Sequence, residues 1–202
     1  LGLQYGVPLD EYVDAFIEAC SKVGIPKNLD YNGQNQEGAS LVQSTIKEGK
    51  RVSAATAFLR PALKRNNLTA ITNARVDKII LKEKIAKGVQ YQKQGKTVQV
   101  YAKNEIIISA GAFKSPQILM LSGIGDKHEL IKHNINCTHD LKGVGKNLQD
   151  HLFYPICAQT NTQEGINHYI SPLKQIKAAW NYFVNKKGVF CNSPLEGMSF
   201  FD

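Results

Sequence analysis

The order of apolar and polar residues along the chain predicts alternating helices and strands. Residues 8–24 carry apolar side chains at helical spacing and end in Gly24, which predicts an amphipathic helix. Three later segments alternate apolar and polar residues, and each predicts a strand. These segments are Arg75–Glu83, Ala86–Lys93 and Lys96–Lys103. Because Gln94 and Gly95 form a tight-turn pair between the last two, we expect an antiparallel meander with one solvated, lysine-rich face.

The alternation ends at Ile106–Ile108, where three β-branched residues follow one another. Such a run indicates burial on both faces, as in a central strand of a parallel sheet. The chain then passes through small residues into a helix, with Ser115 as the expected N-cap and Pro116 as the first helical residue. A strand followed by the turn Ala110-Gly111-Ala112 and a helix allows the helix N-terminus to lie close to an anion.

Shorter elements are predicted elsewhere from the same patterns. They are a strand at Leu41–Lys47, a helix capped by Ser53 and disturbed at Pro61, a helix at Asp126–Asn134, a strand at Ile135–Asp140, a loop at Gly143–His151, a strand at Phe153–Gln159 and a helix at Ser171–Lys187. The last helix aligns five apolar residues, for which we expect packing against protein. These are Leu173, Ile176, Ala179, Trp180 and Phe183.

Composition places the chain among globular proteins, because 43% of its 202 residues are hydrophobic and 21% are charged. The net charge is +8, but the basic residues are spread along the chain, and exposed lysines on strands commonly serve solubility and edge protection. We therefore expect no nucleic-acid partner. No apolar run is long enough for a membrane span. No signal peptide is visible, and the compartment, secretion included, is left open.

The cysteines and histidines offer little chemistry of their own. Cys20, Cys137, Cys157 and Cys191 lie far apart with no C-x-x-C spacing, so no metal site is expected and one disulfide is left open. His151 follows Asp150 in a loop, where a structural role is expected rather than catalysis.

Catalytic motifs are also scarce. The chain has no G-x-S-x-G nucleophile elbow, which disfavours hydrolase chemistry. It has no complete G-x-G-x-x-G before a helix either. Gly143-Val144-Gly145 begins like one, but Leu148 stands where the third glycine belongs.

Three segments carry a family resemblance. Gly111–Gly125 reads GAFKSPQILMLSGIG and resembles the second signature of the glucose-methanol-choline (GMC) flavoprotein oxidoreductases. Asn73–Val76 resembles the family segment before the meander, and Gly143–His151 resembles the family's GVGxNLQDH loop. All three occur in the family's order. The resemblance implies that the backbone of Val76 lies against the adenine of FAD, and that Ala110, Gly111 and Ala112 pass close to its phosphate and ribose.

The resemblance implies a mixed α/β fold (α+β mixed). It consists of a partial, Rossmann-like FAD-binding domain with an antiparallel meander at residues 1–151, and the start of a substrate domain at residues 152–202. The family's N-terminal G-x-G-x-x-G unit has no counterpart here, and neither has its C-terminal catalytic His with a His or Asn partner. The chain begins at Leu1 and ends just after Ser199–Phe201. We therefore expect the middle third of a longer enzyme, with no catalytic residue of its own and little activity by itself.

The implied activity is oxidation of a CH–OH donor with hydride transfer to FAD. The implied substrate is a small alcohol or sugar, in keeping with a glucose-dehydrogenase-like branch, and the electron acceptor is undetermined. Two alternatives stay open at this point. One is a catalytically inactive GMC-like protein kept for binding or structure, and the other is a basic α/β protein that binds nucleic acid.

Overall fold

The computed structural model describes residues 4–5, 12–159, 161, 169, 171–191, 193 and 195–201. They fall into two compact units, unit 1 with residues 1–68 and 157–202 and unit 2 with residues 69–156. The helices are α1 (Tyr12–Lys22), α2 (Arg60–Ala62), α3 (Gly111–Leu121), α4 (Lys127–Lys132) and α5 (Pro172–Asn185). The strands are β1 (Gln4–Tyr5), β2 (Gly38–Leu41), β3 (Gln43–Ser44), β4 (Ile46–Lys47), β5 (Lys50–Arg51), β6 (Arg75–Lys82), β7 (Ile85–Lys93), β8 (Lys96–Tyr101), β9 (Ile124–Gly125), β10 (His139–Asp140) and β11 (Gly197–Phe200).

Unit 1 is organised around α1 and a two-stranded sheet. β11 pairs antiparallel with β2, from Gly197 opposite Leu41 to Phe200 opposite Gly38. The buried core consists of Val13, Ile17, Cys20 and Ala39. A Cβ at Gly197 would lie 2.9 Å from Val13 Cγ2, so glycine allows the helix to approach the strand. The predicted helix is confirmed over α1, and its residues 8–11 lie outside the described residues.

The predicted strand at Leu41–Lys47 is replaced by several short ones. β2 ends at Leu41, β3 pairs with β1, and β4 pairs with β5. The prediction was wrong in its bounds because each short piece finds a different partner strand. The Ser53 cap is confirmed, since Ser53 Oγ accepts the Thr56 N–H at 3.2 Å. A π-helical turn spans Ala55–Leu59 before Pro61, whose missing N–H interrupts the regular α-helical bonding.

The helix predicted at Ser171–Lys187 is confirmed as α5, but the expected packing face is wrong. Ala178 is its buried residue, whereas Trp180 and Phe183 are each 70% exposed. Leu173 and Ile176 are exposed as well. The apolar stripe of α5 therefore finds no cover among the described residues.

Unit 2 contains the meander, which is confirmed. β7 pairs with β6 on one side and with β8 on the other, all antiparallel. Gln94 and Gly95 both have positive φ between the paired residues Lys93 and Lys96, as a two-residue hairpin turn requires. Ile79 and Tyr91 supply its buried side chains.

The predicted central strand at Ile106–Ile108 is wrong. Residues 105–109 form no strand, and Ile107 is 79% exposed. A strand buried on both faces needs neighbouring strands, and the described residues place none beside this segment. The strand predicted at Phe153–Gln159 is wrong for the same reason, with Phe153 and Ile156 exposed.

The remainder of unit 2 follows α3. β9 pairs in parallel with β10, so the strand predicted at Ile135–Asp140 is realised only at its end. The helix predicted at Asp126–Asn134 is confirmed as α4, and the predicted loop at Gly143–His151 is confirmed as turn and irregular chain.

The four cysteines are free thiols, and burial raises the pKa of Cys191. Within the described part of the chain, no helix has the length and apolar character needed to cross a bilayer. The domain division at residue 151 stays a prediction, because compact units do not by themselves identify functional domains.

Candidate functional site

An open cavity of about 790 Å³ lies in unit 2 between the start of β6 and one side of α3, from Ala110 just before the helix to Leu121 at its end. Val76 and Ala110, two of the four residues singled out in the sequence, both line it. Gly111 and Ala112 continue directly from Ala110 as the first two residues of α3. The structure therefore brings the two predicted segments to one place, although they lie far apart in sequence.

The β6 wall of the cavity contains a bulge. Val76 pairs with Tyr91 and Lys78 pairs with the adjacent Gln90, so Asp77 is an extra residue without a partner on β7. A bulge bends the strand and changes the direction of its side chains. Asp77 Oδ2 accepts a hydrogen bond from Gln92 Nε2 at 2.9 Å, which holds the bulged residue in place.

The α3 wall begins differently from the prediction. The helix starts at Gly111, whose φ of +85° suits glycine, and Ser115 and Pro116 lie inside it. Ser115 Oγ accepts the N–H of Ala110 at 3.0 Å, so this serine holds the turn from within the helix rather than capping it from outside. Pro116 has no N–H, and the helical hydrogen bond to Ala112 C=O is therefore missing.

The backbone at the start of α3 is open to close approach by a ligand. No heavy atom lies within 4 Å of the position that a Cβ on Gly111 would take. The N-cap residue Ala110 provides no side-chain capping bond, so the first-turn N–H groups of α3 have no side-chain acceptor there. Such groups are suited to an anionic ligand.

The charged residues of the cavity are mostly basic. Arg75, Lys78 and Lys114 line it together with one carboxylate, Asp77. Arg75 Nη2 pairs with Asp77 Oδ1 at 3.4 Å. Lys114 Nζ donates to the neutral Gln117 Oε1 at 3.1 Å. The cavity therefore keeps an excess of positive charge.

The second half of the Gly111–Gly125 signature has a structural role. Ser122 Oγ accepts the Ile79 N–H at 2.7 Å and donates to Ile118 C=O at 2.6 Å, which ties the end of α3 to β6. Gly123 has φ of +82°, and a Cβ there would lie 2.5 Å from Asn136 O and 2.8 Å from Thr138 Oγ1. Ser122 therefore fixes the end of α3 against the meander, and Gly123 allows close packing against residues 136–138.

The Gly143–His151 loop lies elsewhere in unit 2. Val144, Gly145 and Lys146 line a second cavity of about 540 Å³ with residues of α3 and α4, and they do not line the first. His151 N–H donates to Asp150 Oδ1 at 2.8 Å, a local loop contact. Of the four histidines that the structure describes, none lines the first cavity.

α4 borders the second cavity and has a well-formed N-terminus. Asp126 Oδ1 accepts the His128 N–H at 2.9 Å and the Glu129 N–H at 3.4 Å. The hydrogen bond from His128 N–H is the main reason that the pKa of Asp126 is lowered. The hydrogen bond from Lys132, at 2.8 Å, lowers the pKa of Glu129. In the described residues, no cluster of acidic, histidine or cysteine side chains could hold a metal ion.

Sequence reasoning missed several cavity residues. Asp77, Gln90, Lys114 and Gln117 all line the first cavity, yet none was singled out. Lys114 and Gln117 lie three residues apart on α3, but the prediction began this helix at Pro116 and so left Lys114 outside it. No pattern in the sequence indicates the bulge at Asp77.

A family model described as GMC oxidoreductase matches residues 6–153. This span covers most of the chain and includes both walls of the first cavity. The chain belongs to the GMC oxidoreductase family. The resemblance inferred from the sequence is thereby confirmed.

Individual GMC relatives agree with this assignment. The chain is 39% identical over 195 residues to the oxygen-dependent choline dehydrogenase of Photobacterium profundum, covering 95% of the chain and 34% of the relative. It is 49% identical over 138 residues to the mitochondrial choline dehydrogenase of Homo sapiens, covering 68% of the chain and 23% of the relative. The chain therefore spans about a third or less of the length of these relatives.

A solved structure supports the fold of this GMC chain. An FAD-dependent oxidoreductase from Chaetomium thermophilum superposes with a TM-score of 0.84 and 27% identity, covering 96% of the chain and 35% of that structure. The mixed α/β, FAD-binding fold is confirmed, and FAD is indicated as the cofactor. The glucose-dehydrogenase-like branch gains no support from relatives named choline dehydrogenases, and it stays a prediction.

Proposed function

We propose that this chain forms the adenosine-binding side of the FAD site in an enzyme that oxidises the CH–OH group of a small alcohol. The observation that carries the proposal is the cavity in which Val76 meets the start of α3. The GMC signature of the sequence forms one wall of that cavity, and the segment resembling the adenine-binding strand forms the other.

The residues of the cavity fit the adenosine diphosphate portion of FAD. Val76 is 38% exposed and offers apolar surface to an aromatic ring. Next to the lining residue Ala110, Gly111 leaves its side open to close approach, and the uncapped first turn of α3 presents N–H groups and the positive end of the helix dipole. The excess of basic side chains complements a diphosphate.

Each wall would have a separate task in holding the cofactor. Among the described residues β6 pairs with β7 alone, so the part of its other edge near Val76, away from the Ile79–Ser122 contact, could pair with the polar edge of adenine. The N–H groups of Gly111 and Ala112 would receive the negative charge of the phosphates. When bound, FAD supplies the acceptor for the hydride that leaves the alcohol carbon. No cavity residue is a histidine that could take the alcohol proton, so that group would come from residues other than these.

The substrate would be a small alcohol. The relatives named above are choline dehydrogenases, which favours a choline-like alcohol. A sugar, as in the glucose-dehydrogenase-like branch, is the competing substrate, and both are compared directly below.

The experiment uses the complete protein that contains these residues. Purified protein should carry FAD, released on denaturation in near-stoichiometric amount, and anaerobic addition of the substrate should bleach the flavin absorbance. Choline and glucose are tested in parallel. Protein that binds no FAD would overturn the proposal, and bleaching by glucose alone would redirect it to the sugar branch.

Two glycine variants test the location of the site. Gly111→Val should lower the FAD content strongly, because the side chain would block the helix start and resist the φ of +85°. Gly95→Val is the matched control, since Gly95 has φ of +75°, equally open surroundings and a place in the distant hairpin turn. Equal FAD loss in both variants would show that only the fold is affected.

A further inference from the structure

Three cations line the proposed FAD cavity, and they differ in their partners. Arg75 is paired with the Asp77 carboxylate at 3.4 Å, which offsets its charge. Lys114 Nζ is hydrogen-bonded to the amide oxygen of Gln117 at 3.1 Å, a contact that leaves its charge uncompensated. We propose that Lys114 binds the diphosphate of FAD, an assignment that rests on the proposed function.

The position of Lys114 on the helix supports this role. It is the fourth residue of α3, counted from Gly111, and it lines the same cavity as Ala110. Lys114 Nζ lies against Gln117, one turn further along α3, and the long, flexible lysine side chain could turn back to the uncapped N–H groups when a diphosphate is bound there. A flexible ammonium group at that place adds a full charge to the partial charge of the helix end.

Gln117 helps to hold this ammonium group. It lies one turn further along α3, lines the same cavity, and accepts a hydrogen bond from Lys114 without neutralising it. Lys78 is less suited to the diphosphate, because it follows the bulge at Asp77 on the wall proposed to bind adenine. We therefore expect the loss of Lys114, and not the loss of Lys78, to weaken diphosphate binding.

The test compares ADP with adenosine as probes on the complete apoprotein, by calorimetric titration. Lys114→Gln should weaken ADP binding by about fivefold at moderate salt, as expected for loss of one partly exposed charge contact. Adenosine binding should be unchanged, because adenosine carries no phosphate. Lys114→Arg keeps the charge and should retain most of the ADP affinity.

Lys132→Gln is the matched control in the same unit. Lys132 lies on α4, pairs with Glu129 at 2.8 Å and does not line this cavity. The Lys132→Gln variant also removes one positive charge and should leave ADP affinity within twofold of wild type. Added salt should reduce the difference between wild type and Lys114→Gln, since screening weakens an exposed charge contact.

The possible results separate the inference from the proposed function. Unchanged ADP affinity in Lys114→Gln, with wild type binding FAD, overturns the role of Lys114 alone. Equal losses for ADP and adenosine also overturn it, because they indicate damage to the cavity. A larger ADP loss in Lys78→Gln assigns the phosphate to the other wall. Wild-type protein that binds neither FAD nor ADP overturns the proposed function itself.

Discussion

The meander and the Ile106–Ile108 segment share a strong β-strand pattern, yet only the meander forms strands. In the meander, β6, β7 and β8 follow one another through short turns, so each strand has a neighbour close in sequence. The described residues place no such neighbour beside Ile106–Ile108, and Ile107 is 79% exposed while Ile79 in β6 is 6% exposed. The difference shows that a hydrophobic pattern specifies a surface to be buried, whereas a partner strand decides whether it becomes a sheet.

The largest effect should come from placing a charge at the two isoleucines in the 202-residue chain. Ile79→Asp should cost about 4 kcal/mol in free energy of unfolding, because it buries a carboxylate without a partner. Ile107→Asp should cost under about 0.5 kcal/mol, since that site is already in water. Urea denaturation followed by circular dichroism measures both. A cost at Ile107 approaching that at Ile79 would mean that the two segments are equally buried.

A second comparison uses two glycines that share positive φ but differ in the room available for an added Cβ. Gly123→Ala should cost about 3 kcal/mol, from backbone strain plus a clash with Asn136 O and Thr138 Oγ1. Gly95→Ala should cost about 1 kcal/mol, because its surroundings are open and only the strain applies. Thermal unfolding of both variants supplies the measurement. Equal costs would show that close packing around Gly123 does not contribute to stability.

Ser122 provides a third test, because it joins the end of α3 to the meander. Ser122→Ala should cost about 1.5 kcal/mol by leaving the Ile79 N–H without its acceptor. Ser21→Ala is the control, since Ser21 Oγ donates only to Ile17 C=O within α1 and its loss should be near neutral. Amide exchange at Ile79 should accelerate in the first variant alone; unchanged exchange there would contradict the assigned role.

The smallest effect concerns pH at the start of α4. Hydrogen bonds lower the pKa values of Asp126 and Glu129, so these groups stabilise the helix when ionised. That stabilisation is present above the ordinary carboxyl pKa and is lost as pH falls through the lowered values. The backbone amides of His128 and Glu129 should therefore lose protection in acid, measured as their exchange rate relative to the intrinsic rate at the same pH. Asp126→Asn keeps an acceptor oxygen without the charge and should weaken this response.

Much of the local structure could be predicted from the sequence, because its causes are local. The alternation of residues 75–101 and the Gln94-Gly95 turn were enough to predict the meander. The capping role of Ser53 and the helices α1 and α5 could likewise be predicted from their own residues. The joining of Val76 with Ala110 was inferred only through resemblance to a family. Their place beside one cavity depends on long-range packing that periodicity does not report.

The errors have two physical origins. α3 begins at Gly111 rather than Pro116 because a positive-φ glycine starts the helix early, a choice that the Ser115-Pro116 pair concealed. The bulge at Asp77 arises from pairing with β7, and α5 exposes the face that its pattern marked for burial. The start of α3 depends on a local glycine, whereas the bulge and the exposed face of α5 depend on neighbouring elements that no single segment encodes.

The pairing of β11 with β2 has a consequence for the order of folding. Residues 42–196 separate these strands, so closing their sheet carries the entropy cost of a very long loop, whereas the meander closes through two-residue turns. We expect the meander to form first during refolding and the β2–β11 sheet last. Pulse-labelled hydrogen exchange during refolding should protect the amides of β7 before those of β2. The reverse order would show that the β2–β11 sheet forms before the meander.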